Sequence, residues 1–189
     1  ADEMLRNSDI AAYKVKREGG KHFLFYSPSM AVPLEERLAL DHSMRYALPS
    51  NEFLLHYQPQ FALDSDKIDG VEALIRWHRK GVGLVPPSEF IPLAEETGFI
   101  QTLGIWVLEE ACAQSRRWLD AGVPPIRVAI NLSPRQFYDP QLLSLIKSAL
   151  DKYQLDPQYL ELEITESSVI YNAELALVTL QKLQDLGVK

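Results

Sequence analysis

The sequence predicts an α/β fold: the first part of a (β/α)8 TIM-type barrel, opened by an antiparallel strand pair. Three observations carry this. From about Thr102 onward, helical apolar spacing alternates with short strand-like runs, and strands separated by helices of this length pair in parallel through right-handed crossovers. Ahead of them lie two strand-like runs, Phe53–Phe61 and Gly70–Trp77, joined by the turn residues Asp64-Ser65-Asp66-Lys67, a link short enough for an antiparallel hairpin. No strand is followed by a Gly-rich phosphate turn, which counts against an open doubly wound sheet with a dinucleotide site. A complete barrel takes roughly 250 residues, more than the 189 present. The C-terminal part is therefore expected to be missing, with the next strand due at Lys189.

Residues 2 to about 18 have helical apolar spacing and reach a stop at Gly19-Gly20, after which His22–Tyr26 reads as a strand. Some thirty residues are too few for a domain. They are expected to be the tail (1–27) of a preceding unit, with a linker over 28–33 and the main domain over 34–189. A helix from about Leu34 to Leu48 ends at Pro49-Ser50-Asn51. Past the hairpin, a loop bearing Gly81, Gly83, Pro86 and Pro87 leads to Ser88, read as the N-cap of a short helix that Gly98 closes. There follow a helix over Thr102–Ala121, a strand over Ile126–Leu132 and Asp139-Pro140 as an N-cap pair. A helix over Leu142–Tyr153, a strand over Tyr159–Thr165 and a helix over Ala173–Leu186, stopped by Gly187, complete the pattern.

Composition narrows the function. A net charge of -7 disfavours a DNA or RNA polymer as ligand, since phosphates call for a basic face. Any anionic ligand must be met by metal ions and a few placed arginines. The single cysteine, Cys112, excludes an intrachain disulfide and a cysteine metal site, and suits a reducing cytoplasm. The chain opens at Ala1 without an initiator methionine and reads as an excised piece, whose parent can be anchored to the inner membrane by a preceding region.

The strand around Glu72 is where chemistry gathers. Val71, Ala73, Ile75 and Trp77 form one apolar face, and Glu72, Leu74 and Arg76 the other. A carboxylate on a covered face needs a partner or a cation. Parallel barrels carry their reactive groups at C-terminal strand ends, which here present Glu72 to Arg76, Asn131-Leu132-Ser133 and Glu161 to Glu166. Acids and an amide make an all-oxygen donor set suited to Mg²⁺ or Mn²⁺, and beside an arginine they form a kit for phosphoester hydrolysis. Each residue also has a plainer reading: Glu72 at a rim, Asn131 in a turn, Arg76 in an ion pair, Glu161 and Glu163 on an exposed strand face, Glu166 as a helix-start acid.

The residues themselves go further. Tyr57-Gln58-Pro59, Glu72-Ala73-Leu74-Ile75-Arg76-Trp77, Pro87-Ser88-Glu89-Phe90-Ile91-Pro92-Leu93-Ala94-Glu95-Glu96-Thr97-Gly98, Asn131-Leu132-Ser133 and Glu161-Leu162-Glu163-Ile164-Thr165-Glu166 resemble, in order and spacing, the EAL-domain family of cyclic di-GMP phosphodiesterases. The likeness spans about residues 33 to 189. Asp9-Ile10-Ala11-Ala12-Tyr13-Lys14 and Gly19-Gly20-Lys21-His22-Phe23 resemble, over a shorter stretch, the closing helix and strand of a GGDEF (diguanylate cyclase) domain.

The resemblance implies metal-dependent hydrolysis of cyclic di-GMP to linear pGpG. It implies metal ligation by Glu72, Asn131 and Glu163, and catalytic roles for Glu72 and for Glu166, the latter by holding a catalytic-side loop in place. It implies contacts to the dinucleotide from Gln58, Leu74 and Arg76, with Arg76 on a phosphate and Pro87 near a base. It further implies two Mg²⁺ or Mn²⁺ ions in the complete domain, a homodimer formed through the EAL domain, and adjacent GGDEF and sensor domains. The family's Asp-Asp-Phe-Gly-Thr-Gly segment is due just beyond Val188 and is not in this chain, so the chain is expected to hold half a two-metal site and to be inactive alone. The rival expectation is a non-catalytic cyclic di-GMP receptor.

Overall fold

The computed structural model describes residues 2–17, 23–26, 28–62, 67–164 and 172–189. The chain divides into two compact units, Ala1–Tyr46 and Ala47–Lys189. The first contains helix α1 (Asp2–Arg17) and nearly all of α2 (Pro28–Ala47). Residues 28–33, expected as a linker, are already helical: Pro28 takes the first helical position, where a missing N–H costs nothing. The strand expected over residues 22–26 does not form among its described residues. Phe23 and Phe25 stay exposed, their rings edge-to-face at 5.8 Å, and this unit offers no described strand to pair with. Gly19-Gly20 and the Asp64-Ser65-Asp66 part of the predicted turn lie outside the described residues.

The second unit is a mixed α/β structure. Strand β1 (Phe53–Phe61) pairs antiparallel with β2 (Ile68–Arg79), and the short β3 (Gly83–Val85) adds to the far end of β2. Two parallel strands follow, β4 (Arg127–Leu132) beside β2 and β5 (Leu160–Ile164) beside β4, giving the order β1-β2-β4-β5. The crossover from β2 to β4 carries helices α3 (Pro87–Thr97) and α4 (Phe99–Asp120). That from β4 to β5 carries the single turn α5 (Pro134–Phe137), α6 (Leu142–Tyr153) and a 3-10 turn at Pro157–Tyr159. Helix α7 (Ala173–Leu186) follows, and after Gly187 the backbone of Lys189 donates to Leu160 and accepts from Leu162, a residue laid alongside β5.

In the second unit two helix starts and one cap differ from the sequence reading, each for a local reason. Helix α3 starts at Pro87, whose fixed φ suits a first turn, so Ser88 lies inside it and makes no cap. Gly98, at φ 79°, ends α3 and in the same residue starts α4, which therefore begins at Phe99. Asp139 caps a turn ahead of α6: its Oδ1 accepts from the Gln141 N–H at 2.8 Å, and the helix begins at Leu142.

The core fixes which face of the sheet is which. Val71, Ala73, Val128, Ile130, Leu132 and Leu160 pack against Leu108, Ala111 and Cys112 of α4, Ile146 and Leu150 of α6, and Ala176 and Leu183 of α7. Burying each of the larger side chains contributes about 1.5–3 kcal/mol. Trp77 is fully buried and its indole N–H donates to Glu52 at 3.0 Å. All of these strand residues share one parity, and the other parity carries Glu72, Arg127, Asn131, Glu161 and Glu163. Helices thus cover one face and polar residues line the other, the arrangement of a (β/α)8 barrel and not of a sheet wrapped on both sides. No helix among the described residues is long and apolar enough to cross a membrane.

Candidate functional site

Register alone brings the predicted ligands to one side. Glu72 sits beside Ala129 and Asn131 beside Glu163; Ala129 and Asn131 are two residues apart on β4 and so point the same way. Gln58, opposite Glu72 on β1, shares that face. The Asn131 Nδ2 donates to Glu72 Oε1 at 2.7 Å. From β1, Gln60 Nε2 donates to Glu163 Oε1 at 3.4 Å. On a flat sheet β1 and β5 would stand about 14 Å apart, three strand spacings. Two side chains that meet across that interval require a sheet curled toward its polar face, as in a barrel wall.

Electrostatics follow from this crowding. Burial, and then the negative charge of Glu72, hold the Glu163 carboxyl above the usual carboxylate range; the Gln60 hydrogen bond and Arg127 pull the other way. Arg127 bridges Asp69, at 2.7 Å, and Glu161, so its charge is already engaged at the N-terminal end of the strands.

The pairing of β2 with β4 ends at Ala73 and Ile130, and the strands then part. A cleft of about 490 Å³ opens in the gap, lined by Leu74, Arg76, Pro87, Asn131 and Ser133 and walled by apolar residues of α3 and α4. Arg76 turns its Nη1 onto the Ile75 carbonyl at 2.9 Å. The structure therefore groups Leu74, Arg76, Pro87 and Asn131 around the cleft. Glu72, Glu163 and the exposed Gln58 stand on the adjoining polar face and do not line it. Glu166 lies outside the described residues.

Two carboxylates and an amide on one concave face suit a hard divalent cation, with the Asn131 amide turned to present its oxygen. Among the described residues no three Asp, Glu, His or Cys side chains gather into a metal cluster, so this donor set is partial.

Two contributors escaped the sequence reading. Gln60 lies two residues from Gln58 on the same strand face, which the period of two could have revealed. Gln136 closes a capping box with Ser133, accepting from the Ser133 N–H at 2.9 Å, and so fixes the chain just past Asn131. Its signal is the Ser-x-x-Gln pattern of Ser133 to Gln136.

Comparison with known proteins gives consistent similarities. The model of the EAL domain matches residues 41–189. The bifunctional diguanylate cyclase/cyclic di-GMP phosphodiesterase MucR of Pseudomonas aeruginosa is 41% identical over 186 residues, which is 98% of this chain and 27% of MucR. The cyclic di-GMP phosphodiesterase PdeR of Escherichia coli is 36% identical over 98% of this chain and 28% of its own length. The chain thus spans about a quarter of these curated relatives. Among solved structures, the P. aeruginosa MucR phosphodiesterase in complex with c-di-GMP superposes with a TM-score of 0.76 at 43% identity, covering 79% of this chain and 61% of that one. The FimX EAL domain of Xanthomonas citri in complex with c-diGMP gives 0.75 at 27% identity, covering 84% and 61%.

Proposed function

The chain belongs to the EAL domain family, and from that premise we propose that it forms the N-terminal part of a metal-dependent phosphodiesterase that hydrolyses cyclic di-GMP to linear pGpG. One observation carries this reading: Glu72 and Glu163, from strands separated by β4, stand on the same concave face with Asn131 between them.

In this reading the carboxylates of Glu72 and Glu163 and the amide oxygen of Asn131 hold Mg²⁺ or Mn²⁺. When bound, the cation acidifies a water and offsets charge on the phosphate. Arg76 leaves the Ile75 carbonyl to grip a non-bridging phosphate oxygen through its fork of N–H donors. Leu74 and Pro87 supply an apolar wall beside a base, and Gln58 faces the dinucleotide from β1. The water oxygen bonds to phosphorus, the sugar 3′-oxygen leaves with a proton, and the ring opens to pGpG. A second cation calls for further carboxylates, which the proposal assigns to an Asp-Asp-Phe-Gly-Thr-Gly segment beyond this chain. Glu166 belongs in the proposal as the residue holding a neighbouring loop. A preceding GGDEF domain closing in residues 1–27, a sensor domain and a homodimer through the EAL domain complete it.

The test is incubation of the full-length protein with cyclic di-GMP and Mg²⁺ or Mn²⁺, with chromatographic separation of the products. The expected result is pGpG, lost in Glu72→Ala. Tight cyclic di-GMP binding without turnover by a folded protein would replace this reading with that of a receptor.

A further inference from the structure

We infer that Gln60 is a positioning residue for Glu163, held by a notch at Gly70, and that through it β1 sets the affinity of the polar face for its divalent cation. This rests on the metal reading of Glu163 above. Gln60 and Gly70 are partners across β1 and β2. Gly70 carries no side chain, and a Cβ there would press on its neighbours. Such an atom would lie 3.1 Å from Gln60 Oε1 and 3.3 Å from Arg127 Nε. Arg127 cannot retreat easily, because Asp69 and Glu161 both hold its guanidinium. The Gln60 amide therefore lies across β2 through the gap that Gly70 leaves, with its Nε2 reaching Glu163 Oε1 at 3.4 Å. That orientation is the one the carboxylate permits, since the amide oxygen turned toward it would set acceptor against acceptor.

One Glu163 oxygen is tied to a neutral donor, which leaves the other for a cation and fixes the plane of the carboxylate. Without that tie, Glu163 is free to turn away from Glu72, whose negative charge faces it. Outer partners of this kind set metal affinity by orienting the ligand before the ion arrives.

The experiment uses the full-length protein, with Mn²⁺ binding followed by titration calorimetry and, separately, hydrolysis measured against Mn²⁺ concentration. Gln60→Met keeps the length of the side chain and removes the donor; Gly70→Ala crowds the amide from below. Each is expected to weaken Mn²⁺ binding about tenfold, with the hydrolysis rate recovering at saturating Mn²⁺. The double variant is expected to be no weaker than the weaker single one, because both substitutions act through one amide. Mn²⁺ affinity unchanged in a folded Gln60→Met protein overturns the inference, as do losses that add in the double variant. Absence of Mn²⁺ binding by the unsubstituted protein overturns the metal reading, and this inference with it. Gln60→Met alone decides the matter should Gly70→Ala fail to fold.

Discussion

Asn131 and Glu72 meet across the gap between β4 and β2, the amide donating to the carboxylate at 2.7 Å. On the proposed metal reading, the amide would turn to offer its oxygen in place of that nitrogen. Asn131→Asp replaces that donor with a second negative charge, so the metal-free protein should lose stability while the oxygen donor set gains charge. The expected outcome is a lower melting temperature without metal and a larger rise on adding Mn²⁺ than the native sequence shows. Asn131→Ala, with no oxygen to offer, should weaken Mn²⁺ binding ten- to a hundredfold or so. Equal Mn²⁺ responses in the two variants would remove Asn131 from the donor set.

Glu163 supplies a pH dependence whose sign follows from its causes. Burial first, and Glu72 second, raise its pKa in the folded state. Between the ordinary glutamate value, about 4.3, and the raised one, the native state holds more proton than the unfolded state. Unfolding free energy therefore falls as pH climbs through that window and stays lowered above it. Glu163→Gln carries no such charge. Without metal, this variant should melt above the native sequence at neutral pH, with the gap closing as the pH approaches about 4. Saturating Mn²⁺ should reverse the order, because the ion stabilises only the protein whose carboxylate can bind it. Thermal melts across pH, with and without Mn²⁺, check both halves.

Much of this arrangement was legible in the residues. The period of two in Val71 to Trp77 placed Glu72, Leu74 and Arg76 on one face, and the hairpin turn set β1 antiparallel to β2. What sequence could not supply was depth across the sheet. Nothing local says that Gln60 on β1 reaches Glu163 on β5, because that contact depends on how far the sheet curls. Nor does any pattern show that the cleft lies where β2 and β4 part, since the length of pairing is a tertiary outcome. The strand expected near Tyr26 failed for a related reason: strand-like composition forms a strand only where an edge is available.

On α4, a Cβ at Gly104 would fall 1.4 Å from Gln136 Nε2 and 2.7 Å from its Cδ, so the buried Gln136 side chain lies directly over the helix backbone. Alanine at 104 would ordinarily favour the helix by about 1 kcal/mol. Here it must expel a side chain that closes the capping box with Ser133, at a cost of about 1 kcal/mol for the cap and roughly 1–3 kcal/mol for overpacking. The cost exceeds the gain, and Gly104→Ala should lower stability by about 1 kcal/mol or more. In a Gln136→Ala background the obstacle is gone, and the same substitution should raise stability by about 1 kcal/mol. Urea denaturation of the four proteins measures this change of sign. If Gly104→Ala stabilises both backgrounds, Gln136 leaves its place freely, and its hold on the chain beyond Asn131 is too weak to shape the site.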